Sequence, residues 1–198
     1  MKRLNTYINE WKINDKSIEN IDQLKYFIYN NESVLEGDIQ IKLFGTNWYE
    51  HHKYEDKIYI NGEHVEIDAY HGRTIKEYPQ GIYRVYIKDI DNVTDCTQMF
   101  ENSDIVSIPL FNISKVKSMF KMFYGCDKLT SVPKFDTRNA MTMNMMFKFC
   151  DNLKEVPLFN NPNAIAMVDM FANCEKLSKK TIQQWSKIYD FNLHQRIQ

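Results

Sequence analysis

Apolar residues in the second half of the chain recur in register. The pair Met-Phe stands at Met99-Phe100, Met122-Phe123, Met146-Phe147 and Met170-Phe171, at spacings of 23, 24 and 24 residues. Other columns travel with it: Cys96, Met119, Met143 and Met167 before the Met, then Ser103, Cys126, Cys150 and Cys174 after the Phe, then Leu129, Leu153 and Leu177. The pairs Ile108-Pro109, Val132-Pro133 and Val156-Pro157 follow, and Phe111, Phe135 and Phe159 come next. Within one unit Ala140, Met143, Met146, Phe147 and Cys150 fall at i, i+3, i+6, i+7 and i+10, which predicts one face of a short helix. The stretch from Leu153 to Phe159, apolar at every third residue around a Pro, predicts a short extended segment. A unit of this size cannot bury its own apolar stripe, so the pattern predicts copies stacked into a solenoid.

The first half reads differently. Ile39 to Leu43 and Lys57 to Ile60 alternate as strands, Asn61-Gly62 before Glu63 to Ile67 is a hairpin signal, and Gly81 to Ile87 predicts the strand leading into the first coil. Upstream, Ile21, Leu24, Phe27 and Ile28 make a helical stripe ending at Asn30-Asn31, and Leu4, Tyr7, Ile8 and Trp11 make a shorter one. At the other end Ile182, Trp185, Ile188 and Tyr189 share one face of a helix beginning near Ser178, suited to close the last coil. The expected organisation is an N-terminal helical segment over 1–36, a β-rich capping region over 37–84, the repeats over 85–177 and a C-terminal capping helix over 178–198.

The segment from Met119 to Thr137, with Met119, Met122-Phe123, Cys126, Leu129 and Phe135-Asp136-Thr137 at fixed intervals, resembles the BspA-type leucine-rich repeat of bacterial surface proteins. The resemblance covers about residues 85–178. It departs where Val132-Pro133 stands in place of the Leu-Asp of many members, and no export signal or lipid-attachment Cys lies near the start. The fold it implies is an α/β repeat, a leucine-rich-repeat-like solenoid of about four short strand-helix coils between a β-rich N-terminal cap and a helical C-terminal cap. The function it implies is a non-enzymatic protein-protein interaction module.

Composition narrows the partners more than the fold. The 198 residues carry a net charge of -1, which excludes a strongly basic histone-like binder and an acidic solvating tail. The charge is uneven: residues 1–98 hold 12 basic and 17 acidic residues, residues 99–198 hold 13 and 9, so the halves carry -5 and +4. No apolar run approaches the roughly 18 residues of a spanning helix. Asn5, Thr6, Asn9 and Glu10 interrupt any stretch that could serve as a secretory signal, so a cytoplasmic chain with reduced thiols is expected.

Candidate chemistry is sparse. The Cys126, Cys150, Cys174 column lacks a CxxC pair or a neighbouring His, which argues for small buried hydrophobes rather than a zinc site. His51, His52, Glu55 and Asp56 carry metal-ligand residue types, yet adjacent histidines diverge on a strand and the helical H-E-x-x-H spacing is absent. No Gly-rich phosphate loop and no nucleophile motif occurs, so no enzyme, no cofactor, no small-molecule substrate and no metal are expected. The basic residues of the repeat half, among them Lys115, Lys117, Lys121, Lys134, Arg138 and Lys148, scatter over several columns, and the Phe residues are assigned to the core. Nucleic-acid binding is therefore an alternative, not the leading expectation.

The expected partner is an unidentified protein. Its contact surface is placed on two adjacent columns of the extended segments, Leu110, Lys134 and Leu158 after the Pro, and Ser107, Ser131 and Glu155 before the Val/Ile-Pro pair. The first ten residues resemble the short leaders of proteins packaged in the heads of T-even-like tailed phages, with Ile8-Asn9-Glu10 as the cleavage triplet and Glu10 as the processing site. That resemblance implies an alternative, a phage head-associated or host-takeover protein carried in the virion and delivered to the host cytoplasm.

Overall fold

Strand β6, Gly81–Ile87, is the best-signalled element of the first half and lies at the centre of a sheet. The computed structural model describes residues 26–31, 40–68, 70–160 and 166–187. Its strands are β1 (Tyr26–Asn31), β2 (Ile58–Ile60), β3 (Glu63–His64), β4 (Ile67–Asp68), β5 (Arg73–Thr74), β6 and β7 (Ile105–Ser107), followed by helix α1 (Lys179–Ser186). They form an antiparallel five-stranded sheet in the order β3-β2-β6-β1-β7 and a separate β4-β5 pair. The Asn61-Gly62 hairpin forms as expected, joining β2 to β3 with both turn residues in the left-handed region that this turn requires. The expected strand from Glu63 to Ile67 is split between the two sheets, and Gln40 to Leu43 makes a single bridge from Lys42 to Arg73 in place of a strand.

The stripe containing Phe27 and Ile28 is not helical over its described part. Tyr26–Asn31 is a strand between β6 and β7, pairing Phe27 with Val85 and Tyr29 with Tyr83. The run Tyr-Phe-Ile-Tyr is rich in residues that suit a pleated surface, and two flanking strands supply its hydrogen bonds. Phe27 and Tyr29 point into the core while Tyr26 and Ile28 face outward, the period-two pattern of a strand. Leu4, Tyr7, Ile8, Trp11, Ile21 and Leu24 lie outside the described residues, as do Ile188 and Tyr189 of the C-terminal stripe.

The expected leucine-rich-repeat-like solenoid of strand-helix coils is overturned. Over their described residues none of the four repeats contains an α-helix, the one α-helix among the described residues is α1, and the sheets are antiparallel. The repeat is realised as layers of consecutive β-turns. In the third layer Met146 N–H donates to Met143 O, Lys148 N–H to Met145 O and Cys150 N–H to Phe147 O, each reaching back three residues. Two residues per layer take the left-handed conformation that ends a helix: Gln98 and Asn102, Lys121 and Gly125, Met145 and Phe149, Asp169 and Asn173. Each reversal turns backbone N–H groups toward the next layer. Phe123 N–H donates to Met146 O and Gly125 N–H to Lys148 O, and Phe147 and Phe149 repeat this toward Met170 O and Ala172 O.

A chain of tight turns also brings every third or fourth side chain to one side, which is why Ala140, Met143, Met146, Phe147 and Cys150 are all fully buried without a helix. The extended stretches run alongside as single parallel bridges, Ser107 to Ser131 to Glu155 and Ser118 to Thr142 to Ala166.

Two aromatic columns run through the layers. Phe100, Phe123, Phe147 and Phe171 stack with ring centroids 5.5, 5.5 and 5.7 Å apart and planes within 7°. Phe111, Phe135 and Phe159 form the second column, at 5.4 and 6.2 Å. Phe27 of β1 covers the start of both, 5.5 Å from Phe100 and 5.7 Å from Phe111. Trp185 of α1 covers the far end of both, 5.6 Å from Phe171 and 5.4 Å from Phe159, and its indole N–H donates to Val156 O at 3.1 Å. Ser178 caps α1 through Thr181 N–H. One hydrophobic core thus runs from Phe27 to Trp185.

The segment between β1 and β2 locks the first layer to the sheet. Gly45 N–H donates to Met99 O at 2.9 Å, the indole of Trp48 donates to Asp95 O at 2.9 Å, and the buried Glu50 carboxylate accepts from Thr94 N–H at 3.0 Å and from Lys53 Nζ at 2.6 Å. A Cβ on Gly45 would stand 1.9 Å from Gln98 O. Gly45→Ala is therefore expected to cost about 1–3 kcal/mol, since backbone atoms on both sides would have to shift. Gly81→Ala, whose Cβ would meet nothing closer than the Tyr83 ring at 3.7 Å, should change stability by no more than about 0.5 kcal/mol. Urea melts of the two variants giving equal midpoints would contradict this account of the seam.

Candidate functional site

The layered turns sort their side chains by position. Met, Met, Phe and Cys or Ser point inward, and the residues between them point outward from a backbone fixed by interlayer hydrogen bonds. On the second and third layers the outward set includes Phe120, Lys121, Tyr124, Met145, Lys148 and Phe149. Tyr124 and Phe149 meet edge to face at 5.3 Å. Lys121 Nζ lies 4.7 Å from the centre of the Tyr124 ring and 5.5 Å from that of Phe120, and Lys148 Nζ lies 5.5 Å from the Phe149 ring.

Each lysine also has a carboxylate partner: Lys121 pairs with Glu101 at 3.7 Å, and Lys148 with Asp169 at 2.8 Å. The patch is aromatic and close to neutral. Val168 on the fourth layer, 53% exposed, lies beside Met145, whose N–H donates to Val168 O at 2.8 Å.

Phe149 stands out within this patch. It adopts φ 64° at the layer position held by Asn102, Gly125 and Asn173, residues that tolerate the left-handed region. A bulky side chain there costs roughly 1–2 kcal/mol, and Phe149 recovers no core burial, being 37% exposed. Sequence reasoning missed it by assigning the Phe residues of the repeats to the core. The available signal was its column, because a Phe that breaks a Gly/Asn column lies off the buried Met-Phe register.

The columns expected to bind a partner are only partly brought together. Ser107, Ser131 and Glu155 do form one bridged row. The column after the Pro is mixed: Leu110 is 56% exposed and Lys134 is exposed, whereas Leu158 packs against the core. An Asp at Leu158 would strike the interior as well as the surface. Glu10 lies outside the described residues.

The thiols are set up for packing. Cys126, Cys150 and Cys174 each donate to the carbonyl of the Phe one layer back, at 2.8, 3.0 and 2.9 Å, and all four cysteines are unpaired. Burial pushes Cys126 and Cys174 up to about 12 and Cys96 and Cys150 well above the ordinary thiol value, so no thiolate nucleophile forms near neutrality. His51 approaches Glu55 at 3.9 Å in a short 3-10 turn, and its ring also meets Trp48 O. Among the described residues no group of three His, Cys, Asp or Glu side chains is placed to hold a metal ion. Lys42, which is buried, donates to Thr46 Oγ1 in its own segment at 2.9 Å and to His71 O in the turn between β4 and β5, and burial lowers it to about 8. Its side-chain bonds are internal ties to its own segment and to that turn.

Fold and surface together define a small domain of turn-built layers closed at one end by a β-sheet and at the other by a short helix. Residues 81–185 match the model of a family described as a Mycoplasma protein of unknown function, DUF285, and the chain belongs to that family. No curated protein and no solved structure matches it. The BspA-type resemblance is corrected on both counts, by a different family match and by layers that contain no strand-helix unit. The interaction module of that type goes with it. The phage-protein alternative used the same solenoid against a host target and loses that basis, while the leader it was read from lies outside the described residues; the nucleic-acid alternative rested on the +4 half, in which Lys121, Lys148 and Arg138 are paired with Glu101, Asp169 and Asp136. Among the described residues no helix is long and apolar enough to cross a membrane.

Proposed function

We propose that this chain is a non-enzymatic domain that holds a protein partner against the outward turn face of its second to fourth layers. The observation that carries this reading is Phe149, an exposed aromatic kept at a left-handed position at a cost to folding. The surrounding rings and the flanking Met145 and Val168 offer apolar contact area on a rigid backbone, so little ordering entropy opposes binding. Because Lys121 and Lys148 already have carboxylate partners, the patch suits an apolar protein surface better than a phosphate backbone. The buried thiols and the internally bonded Lys42 favour a chain without a small-molecule substrate or cofactor. Four unpaired cysteines, three of them donating to carbonyls in adjacent layers, favour the cytoplasm.

The test uses the full chain as bait in extracts of its source cell. Phe149→Asp/Val168→Asp should lose whatever the native chain captures, Lys134→Asp should retain it, and capture should hardly change between low and moderate salt. Phe149→Gly should lose the partner while gaining about 1 kcal/mol of stability from the relieved backbone. Capture that survives the Phe149 variants, or that falls steeply with salt, would overturn the reading.

A further inference from the structure

The stack of turn layers has a direction. At each interface four backbone N–H groups of one layer donate to carbonyls of the next, from Cys96, Gln98, Phe100 and Asn102 of the first layer to Met143, Met145, Phe147 and Phe149 of the third, at 2.8 to 3.1 Å. These N–H groups all face forward along the stack, and the carbonyls they meet all face back. The first layer therefore presents acceptors at its open edge, and the fourth presents donors.

The two edges are not covered alike. At the acceptor edge Met99 O takes Gly45 N–H and Asp95 O takes the Trp48 indole, each at 2.9 Å. At the donor edge the forward-facing set includes the N–H groups of Met167, Asp169 and Asn173, and among the described residues none of these three meets an acceptor. Their neighbours are bonded inward: Val168 N–H donates to Asn144 Oδ1, Met170 N–H to Met167 O and Ala172 N–H to Asp169 O. Trp185 of α1 closes the aromatic columns at this end and gives its indole N–H to Val156 O. Met167 and Asp169 are half-buried and Asn173 is exposed, so the three donors lie where another chain can reach them. Unpaired main-chain donors at an edge are a template for a further backbone.

We infer that the partner of the turn face adds a fifth layer at this edge, an extended segment whose backbone carbonyls accept from Met167, Asp169 and Asn173. The inference rests on the partner reading given above. Val168, exposed beside Met145 on the turn face, stands between the first two donors, so a chain lying on that face passes onto the edge without a gap. Complementarity selects the occupant. Donors two residues apart match alternate carbonyls of an extended segment, as they do at every inner interface, and such main-chain bonds give affinity without requiring charge. An anion nest uses successive N–H groups, and here the intervening ones are already bonded inward. A second copy stacked end to end would have to offer its first-layer carbonyls, of which Asp95 O and Met99 O are taken.

Amide hydrogen exchange followed residue by residue by NMR tests this on the full chain. Alone, the amides of Met167, Asp169 and Asn173 should exchange about a hundred-fold or more faster than those of Met143, Met145 and Phe149, which hold the same columns one layer earlier. The probe is a synthetic peptide of residues 142–149, the segment whose Thr142, Asn144, Met146 and Lys148 carbonyls accept from the second layer. In excess it should slow exchange at the three amides several-fold and leave β6 unchanged. Slow exchange in the chain alone would overturn the inference, because the edge would already be occupied. So would protection that falls on dilution together with a dimeric mass, equal protection by inorganic phosphate, or no effect of the peptide. In the complex captured through the turn face the same three amides should be protected. Capture that depends on Phe149 while these amides still exchange fast would overturn the fifth layer and leave the turn-face reading standing, whereas capture independent of Phe149 would overturn that reading itself.

Discussion

Phe147→Ala should destabilise the chain by about 3–5 kcal/mol, the range for truncating a fully buried Phe. Phe147 has no solvent exposure, and its ring lies between those of Phe123 and Phe171 at 5.5 and 5.7 Å with planes only 6° apart. The distance and the near-parallel planes describe offset stacking, which adds to plain area burial. Truncation would leave a void bounded by two layers whose spacing is held by backbone hydrogen bonds, from Phe123 N–H to Met146 O and from Phe147 N–H to Met170 O. Layers tied in this way cannot collapse onto the cavity without losing those bonds, which places the loss toward the upper part of the range. Lys148→Ala, one residue along and outward, breaks the pair with Asp169 and should cost no more than about 1 kcal/mol. Urea melts giving similar losses for the two variants would contradict the assignment of inside and outside.

Trp185→Ala should cost a comparable amount, about 3–5 kcal/mol, by a different route. Trp185 has no solvent exposure and closes the Phe171 and Phe159 columns together, so its removal opens the ends of two stacks at once. It also leaves Val156 O without the indole donor. Trp185→Phe keeps most of the cover and loses that bond, so its cost should be nearer 1 kcal/mol from the hydrogen bond plus a smaller packing loss. Native-state hydrogen exchange separates this end effect from global weakening. In Trp185→Ala the amides of Met170, Ala172 and Cys174 should exchange faster than those of β6 at the same denaturant concentration, because repeats unfold from an uncapped end. Equal acceleration in β6 would show that the ends are not independent.

The N-terminal and C-terminal covers were legible to different degrees. Ser178 followed by an apolar stripe is a local capping signal, and α1 begins where it says. The strand at Tyr26–Asn31 was not legible. Phe27 and Ile28 fit a helical stripe with Ile21 and Leu24 as well as they fit an alternating strand, and the partners that decide the matter, Val85 in β6 and Ser107 in β7, lie about 58 and 79 residues away. The surface patch was hard to read for a related reason. The identity of Phe149 alone does not distinguish an outward ring from a core ring; only its place in the column of Asn102, Gly125 and Asn173 hints at it, and the left-handed backbone and the neighbouring Tyr124 of the preceding layer settle it.

The amino-acid sequence by itself determined the period of about 24 residues, the identity of the buried columns and the hairpin at Asn61-Gly62, because each is written in residue types at fixed separations. It also carried hints of the layer backbone in Asn102, Gly125 and Asn173, which share one column and tolerate a left-handed conformation. Only the tertiary structure decided between a helix and a run of turns. A three-to-four-residue apolar spacing satisfies both, and the choice rests on where the backbone N–H groups find acceptors. Within a helix Phe147 N–H would bond four residues back in its own segment, but here it bonds Met170 O in the next layer. That acceptor exists only once a second layer lies alongside, so the long-range hydrogen bond, together with the stacked Phe rings it holds in place, selects the turns.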